Sequence, residues 1–478
     1  MPFRWIVIFA IILASFPLFV FSNNLPSQVQ QALRNAGVSD SAVGIYVHEI
    51  GEPKPLFSVN AEVPMNPASV MKLVTTFAGL EILGPAYTWK TEIYANGQLT
   101  DGVLHGDLVI KGYGDPKLNL ENFWLLAHRL RKSGLYKITG DLILDHSYYD
   151  IPVDDPGAFD GQPYRTYNIL PEALLINYRT STLRLIPQPE TNTVQVIADP
   201  IPDSLTLSNR LKLTRGSCGD WRNLLRTSVV TNDDDGGVSI RLDGNYSINC
   251  GRQSYFLGLH DSSTYTRDLF QRFWTQLGGI FEGDVRVGHA PKGDSPIKTY
   301  ESSSLTEIIR GINKFSNNIA ARQLYLSIGS VDTTTPRHSP LTLEKSDKVI
   351  KQWLASMQLD FPELVIENGS GLSRVERISA NHMGQLLLAA FHSPVMPELI
   401  SSMPIAAVDG TMRNRLKGSR LSGLAHMKTG SLNSVRALAG YMLDESGRRI
   451  VVVFFVNHPN AVSSRRAMDE LLEWLYTR

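Results

Sequence analysis

A serine three positions ahead of a lysine can form a nucleophile if both lie on one helical face and the amine is neutral. Ser69-Val-Met-Lys72 has that spacing, which puts positions i and i+3 on the same side of a helix. A break at Asn66-Pro67-Ala68 precedes it. Val70, Leu73, Val74, Phe77, Leu80 and Leu83 then recur at helical spacing until Gly84-Pro85. A serine in such a first turn sits where free N–H groups and the helix macrodipole favour negative charge. The lysine can act as a base only if burial or a second cation holds it neutral. Ser295-Pro-Ile-Lys298 has the same letters but heads no apolar helix.

Two further clusters supply what such a pair needs. Ser316-Asn317-Asn318 falls in a short polar break between helical patterns. A hydroxyl there can relay a proton between lysine and leaving amine, and the Asn318 amide can hold a peptide backbone. Ser58, Ser247 and Ser431 also begin a Ser-x-Asn, but in strands or directly after the next motif. Lys428-Thr429-Gly430-Ser431 reads as a strand presenting a cation and a hydroxyl to a carboxylate. Gly430 would admit a substrate backbone, and the Ser431 N–H can face an oxyanion. Lys132-Ser-Gly134 reads instead as the capped end of a helix around residues 123–131.

The elements that must position these residues come from both chain ends. A short amphipathic helix with Val29 and Leu33 leads into an apolar strand over 42–47 and a second over 56–59. From about residue 89 to 290 the texture is short strands and turns, with Asn232–Gly237 as a turn tip. Helices return at 305–313, 318–327, 348–358 and 383–391. Strands follow at 426–431, 435–443 and 449–457, then a closing helix over 461–476. A sheet built from both ends around a β-rich middle implies an inserted module.

With 478 residues, the chain is long enough for two to four domains. Its 46 Lys+Arg balance 46 Asp+Glu, so no global field argues for a nucleic-acid partner. Residues 5–21 carry no charge, and a small Ser22 precedes Asn23 and Asn24, as in a cleaved secretory leader; a retained anchor is the alternative. Cys218 and Cys250 are the only cysteines. In an oxidising compartment they read as one disulfide, with two buried thiols as the alternative. No His-Glu-x-x-His motif suggests zinc, and Gly112-x-Gly114 lacks the third glycine of a nucleotide loop. No metal or cofactor is expected.

Together, Ser-x-x-Lys, Ser-x-Asn and Lys-Thr-Gly, in that order on helix, loop and strand, match the penicilloyl serine transferases. The 247-position gap from Ser69 to Ser316 is too long for a class A β-lactamase. Asn66–Thr76, Gly112-Tyr-Gly-Asp-Pro116 and Glu367-Asn-Gly-Ser-Gly-Leu-Ser-Arg374 narrow the likeness. The chain resembles the D-alanyl-D-alanine carboxypeptidase/endopeptidase family of class C low-molecular-mass penicillin-binding proteins.

That resemblance implies an α/β (α+β) fold: a transpeptidase/β-lactamase-like domain, an antiparallel sheet flanked by helices, with two nested β-rich insertion domains. The expected division is a leader at 1–22, a catalytic domain at 24–90 and 296–478, an inserted domain at 91–170 and 253–295, and a nested one at 171–252. Ser69 would be the nucleophile, Lys72 its base and Ser316 the proton relay. Asn318 would orient the peptide, and Lys428 and Thr429 would bind the terminal carboxylate. The N–H groups of Ser69 and Ser431 would form the oxyanion hole. Phe159-Asp160-Gly-Gln-Pro-Tyr164 occupies about the place where relatives read a diaminopimelate-type side chain, which makes Asp160 the candidate there. The implied partners are peptidoglycan pentapeptides, cross-linked muropeptides and β-lactams, in the periplasm; homodimerisation is left open. A β-lactamase and a catalytically idle wall-binding protein are the competing readings. The intact set of three motifs argues against the second.

Overall fold

The computed structural model describes residues 25–232, 237–258, 262–336 and 339–478. The expected leader and most of the Asn232–Gly237 tip lie outside them. No helix among the described residues is long and apolar enough to cross a membrane.

The two chain ends share one antiparallel sheet of five strands. In spatial order these are Ala425–Leu432, Val435–Leu443, Arg449–Asn457, Val43–Glu49 and Phe57–Val59. Arg449–Asn457 is central and buried on both faces, which is why it reads as an unbroken apolar run. Its side chains alternate between two cores. Val451, Val453 and Phe455 share one buried core with the helices Lys72–Leu83, Leu305–Phe315, Asn318–Ile328 and Ala380–His392. Val452, Phe454 and Val456 face the helices Ser27–Asn35 and Arg465–Tyr476. Each such fully buried side chain stabilises by about 1.5–3 kcal/mol relative to exposure. Lys428 pairs across the sheet with Ala439, which belongs to the first core. The same side therefore receives Lys428 and the helix that carries Lys72.

The stretch between these ends forms further sheets. A seven-stranded sheet is built on the antiparallel hairpin Lys90–Thr100 and Val103–Gly112. Helices Leu120–Lys132 and Ser262–Gln276 cover it through Phe123, Leu126, Tyr265, Phe270 and Trp274. Nested within it in chain order, two three-stranded sheets share a core with Trp221, Tyr246 and Tyr255. The expected fold class is the observed one.

Three details differ from the sequence expectation. Ser262–Gln276 is a helix of 15 residues inside the stretch read as strands and turns; its β-branched and aromatic residues mask the helical spacing of Tyr265, Leu269 and Trp274. Gln253–Gly258 hydrogen-bonds to Thr180–Gln188 and so completes a nested sheet rather than the outer insertion. Lys298–Glu301, expected in the catalytic domain, edges the seven-stranded sheet beside Lys90–Thr100. Strand membership depends on pairing across the insertion, which local patterning does not encode.

Cys218 and Cys250 are disulfide-bonded across 32 positions, beside the nested core. In the chain-entropy account, closing such a loop contributes roughly 3–4 kcal/mol. Replacing both cysteines by alanine should speed amide hydrogen exchange in the strands from 205 to 258. The five-stranded sheet should keep its protection, as hydrogen-exchange mass spectrometry can show.

Candidate active site

Ser69 does not open the α-helix directly. It lies in a 3-10 turn, Ala68–Met71, that runs into the α-helix Lys72–Leu83. In that tighter winding residues i and i+3 eclipse, so Lys72 falls over Ser69 more closely than α-geometry would place it. The turn is fastened on several sides. Asn66 Oδ1 accepts the Ala68 N–H at 2.8 Å, and Asn66 Nδ2 donates to the Ser373 carbonyl at 2.9 Å. Asn457, at the end of the central strand, exchanges two hydrogen bonds with the Asn66 backbone at 2.8 and 2.9 Å.

Two glycines let other chain segments touch this turn. A Cβ on Gly371 would stand 2.0 Å from the Ala68 carbonyl oxygen and 2.7 Å from the Ser69 nitrogen. One on Gly430 would stand 2.6 Å from the Pro67 carbonyl oxygen. The close approach that Gly430 permits here is between its strand and the Ser69 turn.

Lys72 is fully buried. Its Nζ donates to Ser69 Oγ at 3.0 Å, to Asn318 Oδ1 at 2.7 Å and to the Ser370 carbonyl. Burial holds its pKa well below the ordinary lysine value. The charges of Lys428 and Arg322 push the same way, and Glu376 opposes them. An amine biased by its surroundings toward the neutral form, 3.0 Å from a hydroxyl, can take that hydroxyl's proton.

Ser316 ends the helix Leu305–Phe315 in the left-handed region, at φ 58°. Asn317 caps the next helix through the Ala320 N–H, and Asn318 begins it. This tight junction turns Ser316 and Asn318 into one cleft. Behind Ser316 lies Lys428, also fully buried, whose Nζ donates to Ser316 Oγ at 3.0 Å and to the Thr429 carbonyl at 2.7 Å. Burial alone pushes the Lys428 pKa down to about 7. Lys428 thus stands behind the cleft wall rather than lining it.

The cleft encloses about 340 Å³ and is lined by Ser69, Asp160, Ser316, Asn318, Thr429 and Ser431, with Thr411 beside them. Thr411 is absent from the sequence reading. Its hydroxyl accepts from that of Thr429 at 2.7 Å, which fixes the two side by side on one wall of the cleft. Asp160 reaches the cleft from the insertion, its carboxylate bonded to Tyr167 Oη and Asn168 Nδ2, both at 2.8 Å. The Tyr167 carbonyl in turn accepts from Asn318 Nδ2 at 3.3 Å. Arg374 lies over the Phe159 ring at 4.2 Å, linking the 367–376 loop to the insertion. Every residue singled out in the three motifs therefore lies in or directly behind one cleft. Ser295 does not: it is exposed, outside any helix. Sequence reasoning missed the structural work of Asn457, Gly371 and Glu376. The only available signal was that Gly371 and Glu376 lie in or beside the Asn-Gly-Ser-Gly-Leu-Ser stretch.

The sequence profile of the D-Ala-D-Ala carboxypeptidase 3 (S13) family matches residues 25–477. The chain belongs to that family. Its enzyme class is accordingly that of a D-Ala-D-Ala carboxypeptidase, as the motifs implied. A D-alanyl-D-alanine carboxypeptidase of Actinomadura sp. strain R39 is 26% identical over 439 residues, covering 88% of this chain and 79% of the relative. The carboxypeptidase DacB of Haemophilus influenzae is 25% identical over 445 residues, covering 93% and 90%. The crystal structure of penicillin binding protein 4 from that organism superposes with a TM-score of 0.76 at 22% identity, covering 94% of this chain and 99% of the other. A second structure of that protein, complexed with a β-lactam, gives a TM-score of 0.72.

Because Gly371 abuts the Ser69 backbone, Gly371→Ala should move Ser69. Its release of D-alanine from a D-Ala-D-Ala peptide should fall about a hundredfold, in line with an ångström-scale misplacement, while far-UV circular dichroism stays unchanged.

Proposed function

We propose that this carboxypeptidase works through a Ser69 acyl-enzyme, trims peptidoglycan stem peptides, cleaves their cross-links, and is acylated by β-lactams at the same serine. The observation that carries the reading is the pairing of two fully buried lysines with two hydroxyls across one cleft: Lys72 with Ser69, and Lys428 with Ser316.

In this reading the Ser69 Oγ attacks the carbonyl of the penultimate D-alanine as its proton passes to Lys72 Nζ. The oxyanion is met by the N–H groups of Ser69 and Ser431, donors aimed at charge that develops only in the transition state. Asn318 holds the peptide backbone. Collapse of the intermediate expels the terminal D-alanine, whose amine takes the proton through Ser316. Water then cleaves the Ser69 ester and restores the serine. The departing carboxylate lies against Thr429 and Thr411, with Lys428 behind Ser316. Bringing an anion there favours the charged form of Lys428, and that charge further disfavours protonation of Lys72. The base is therefore most active when substrate is in place.

A diaminopimelate-type cross-link offers the same leaving group, an amine on a D-configured carbon bearing a carboxylate. One site therefore serves carboxypeptidase and endopeptidase cleavage. Asp160 contributes to reading the side chain of the acyl-side residue. Catalytic residues fall to the sequence's two ends and the intervening stretch forms the insertions. The charge-free residues 5–21 direct the chain to the periplasm.

Purified wild-type protein should be labelled covalently by a fluorescent penicillin, and Ser69→Ala should not; normal labelling of that variant would remove Ser69 as nucleophile. Digested sacculi should yield both tetrapeptides and separated cross-links. Rapid penicillin turnover without D-alanine release would indicate a β-lactamase instead. The acid limb of the pH–acylation profile reports loss of the Lys72 proton. Removing the Lys428 cation favours the Lys72 ammonium, so in Lys428→Ala this limb should move to higher pH.

A further inference from the structure

The segment from Glu367 to Glu376 is organised around a buried carboxylate that the mechanism above does not use. Glu376 is fully buried. Its Oε1 accepts the backbone N–H groups of Glu367, Asn368 and Gly369 at 3.2, 3.1 and 3.2 Å, an arrangement of successive amides that favours an anion. The Gly369 carbonyl accepts from Thr75 Oγ1 at 2.7 Å, one turn along the helix from Lys72. The next residue, Ser370, offers its carbonyl to Lys72 Nζ, and Gly371 then lies against the Ser69 turn. The second carboxylate oxygen, Oε2, is buried without a hydrogen-bond partner.

Leaving one oxygen of a buried carboxyl unpaired carries a cost. A neutral amide at this position could still accept from the same N–H groups, so the loop's shape alone does not call for an acid. What distinguishes a carboxylate is its charge, and the charge it faces is the base. We propose that Glu376 is a positioning residue for Lys72, holding the Ser370 carbonyl on the amine through the loop and setting by its negative charge how readily that amine gives up its proton.

The inference rests on Ser69 and Lys72 being the acylating pair. The groups facing Glu376 are Lys72 on the Lys72–Leu83 helix, Arg322 and Tyr325 on the Asn318–Ile328 helix, and Glu367 in its own loop. Lys428 acts on Lys72 from the sheet. Burial pushes the Glu376 pKa up to about 7, against its backbone hydrogen bonds and the charge of Lys72. The carboxyl and the amine consequently titrate as a pair. With the carboxylate present the ammonium is favoured; without it the amine loses its proton at lower pH.

Three full-length proteins test this: wild type, Glu376→Gln and Glu376→Asp. The readouts are the second-order rate of labelling by a fluorescent penicillin across pH, and the thermal midpoint. Glu376→Gln keeps an acceptor oxygen but loses charge-assisted bonding. Its plateau rate should fall about tenfold, and its acid limb should move to lower pH by about one unit, opposite to Lys428→Ala. Glu376→Asp keeps the charge but withdraws it by a methylene. It should label slowly with an acid limb near that of wild type. A Gln variant that labels like wild type, or one that only melts earlier and keeps the wild-type limb, overturns the proposal. If the Gln variant does not fold, Glu376→Asp decides alone, and a wild-type rate overturns the proposal. Persistent labelling of Ser69→Ala would instead defeat the acyl-enzyme reading, so the two failures are distinct.

Discussion

The burial of the Lys72 amine is the constraint on which the rest of the site depends. An ammonium in a dry interior loses its hydration, and the protein relieves that cost partly by favouring the neutral form and partly by supplying acceptors. The Ser69 hydroxyl, the Asn318 amide oxygen and the Ser370 carbonyl all converge on one nitrogen. They come from three separate segments. Each must be held in place for the amine to keep its position beside the serine, so the requirement of one buried amine spreads into the surrounding core.

The core meets that requirement with backbone-level joints rather than long side-chain bridges. The Ser69 turn is tied to the central strand by the Asn66–Asn457 exchange and is pressed between Gly371 and Gly430. The Ser316 junction is held from beneath, where Lys314 donates to the Met403 carbonyl at 2.8 Å and to Asp409 at 2.6 Å. Asn313, one residue earlier, joins Thr76 to Ser402. Such buried polar joints restrict how these segments can pack against one another. The two lysines then differ by what surrounds them: Lys72 feels the cations Lys428 and Arg322 and the carboxylate of Glu376, whereas Lys428 is perturbed by burial alone.

Much of this was legible in the sequence because it is local. The helix after Ser69, the closing strands and the break at 316–318 follow from periodicity and turn residues, and the observed strands Val435–Leu443 and Arg449–Asn457 have the expected ends. The Ser262–Gln276 helix was not legible, because its residue types favour strand while only its burial pattern is helical. Asp160 could be nominated only through likeness to relatives. Its place at the cleft depends on how the insertion folds back onto Asn318 through Tyr167.

By itself, the sequence determined the motif groups and their order: a serine and lysine one turn apart, a serine and asparagine at a helix junction, and a lysine and threonine on a strand. It also determined the family. These are matters of residue type and short spacing. Tertiary structure alone decided that Lys72 meets Asn318 across 246 positions and that Asn66 meets Asn457 across 391. It decided, too, that Lys428 stands behind Ser316, that Gly430 makes room for the Ser69 turn, and that Glu376 lies buried under the loop whose Ser370 carbonyl meets Lys72. Burial and electrostatic environment arise from packing distant segments together, and they set apart a few of the chain's many serines and lysines in one cleft.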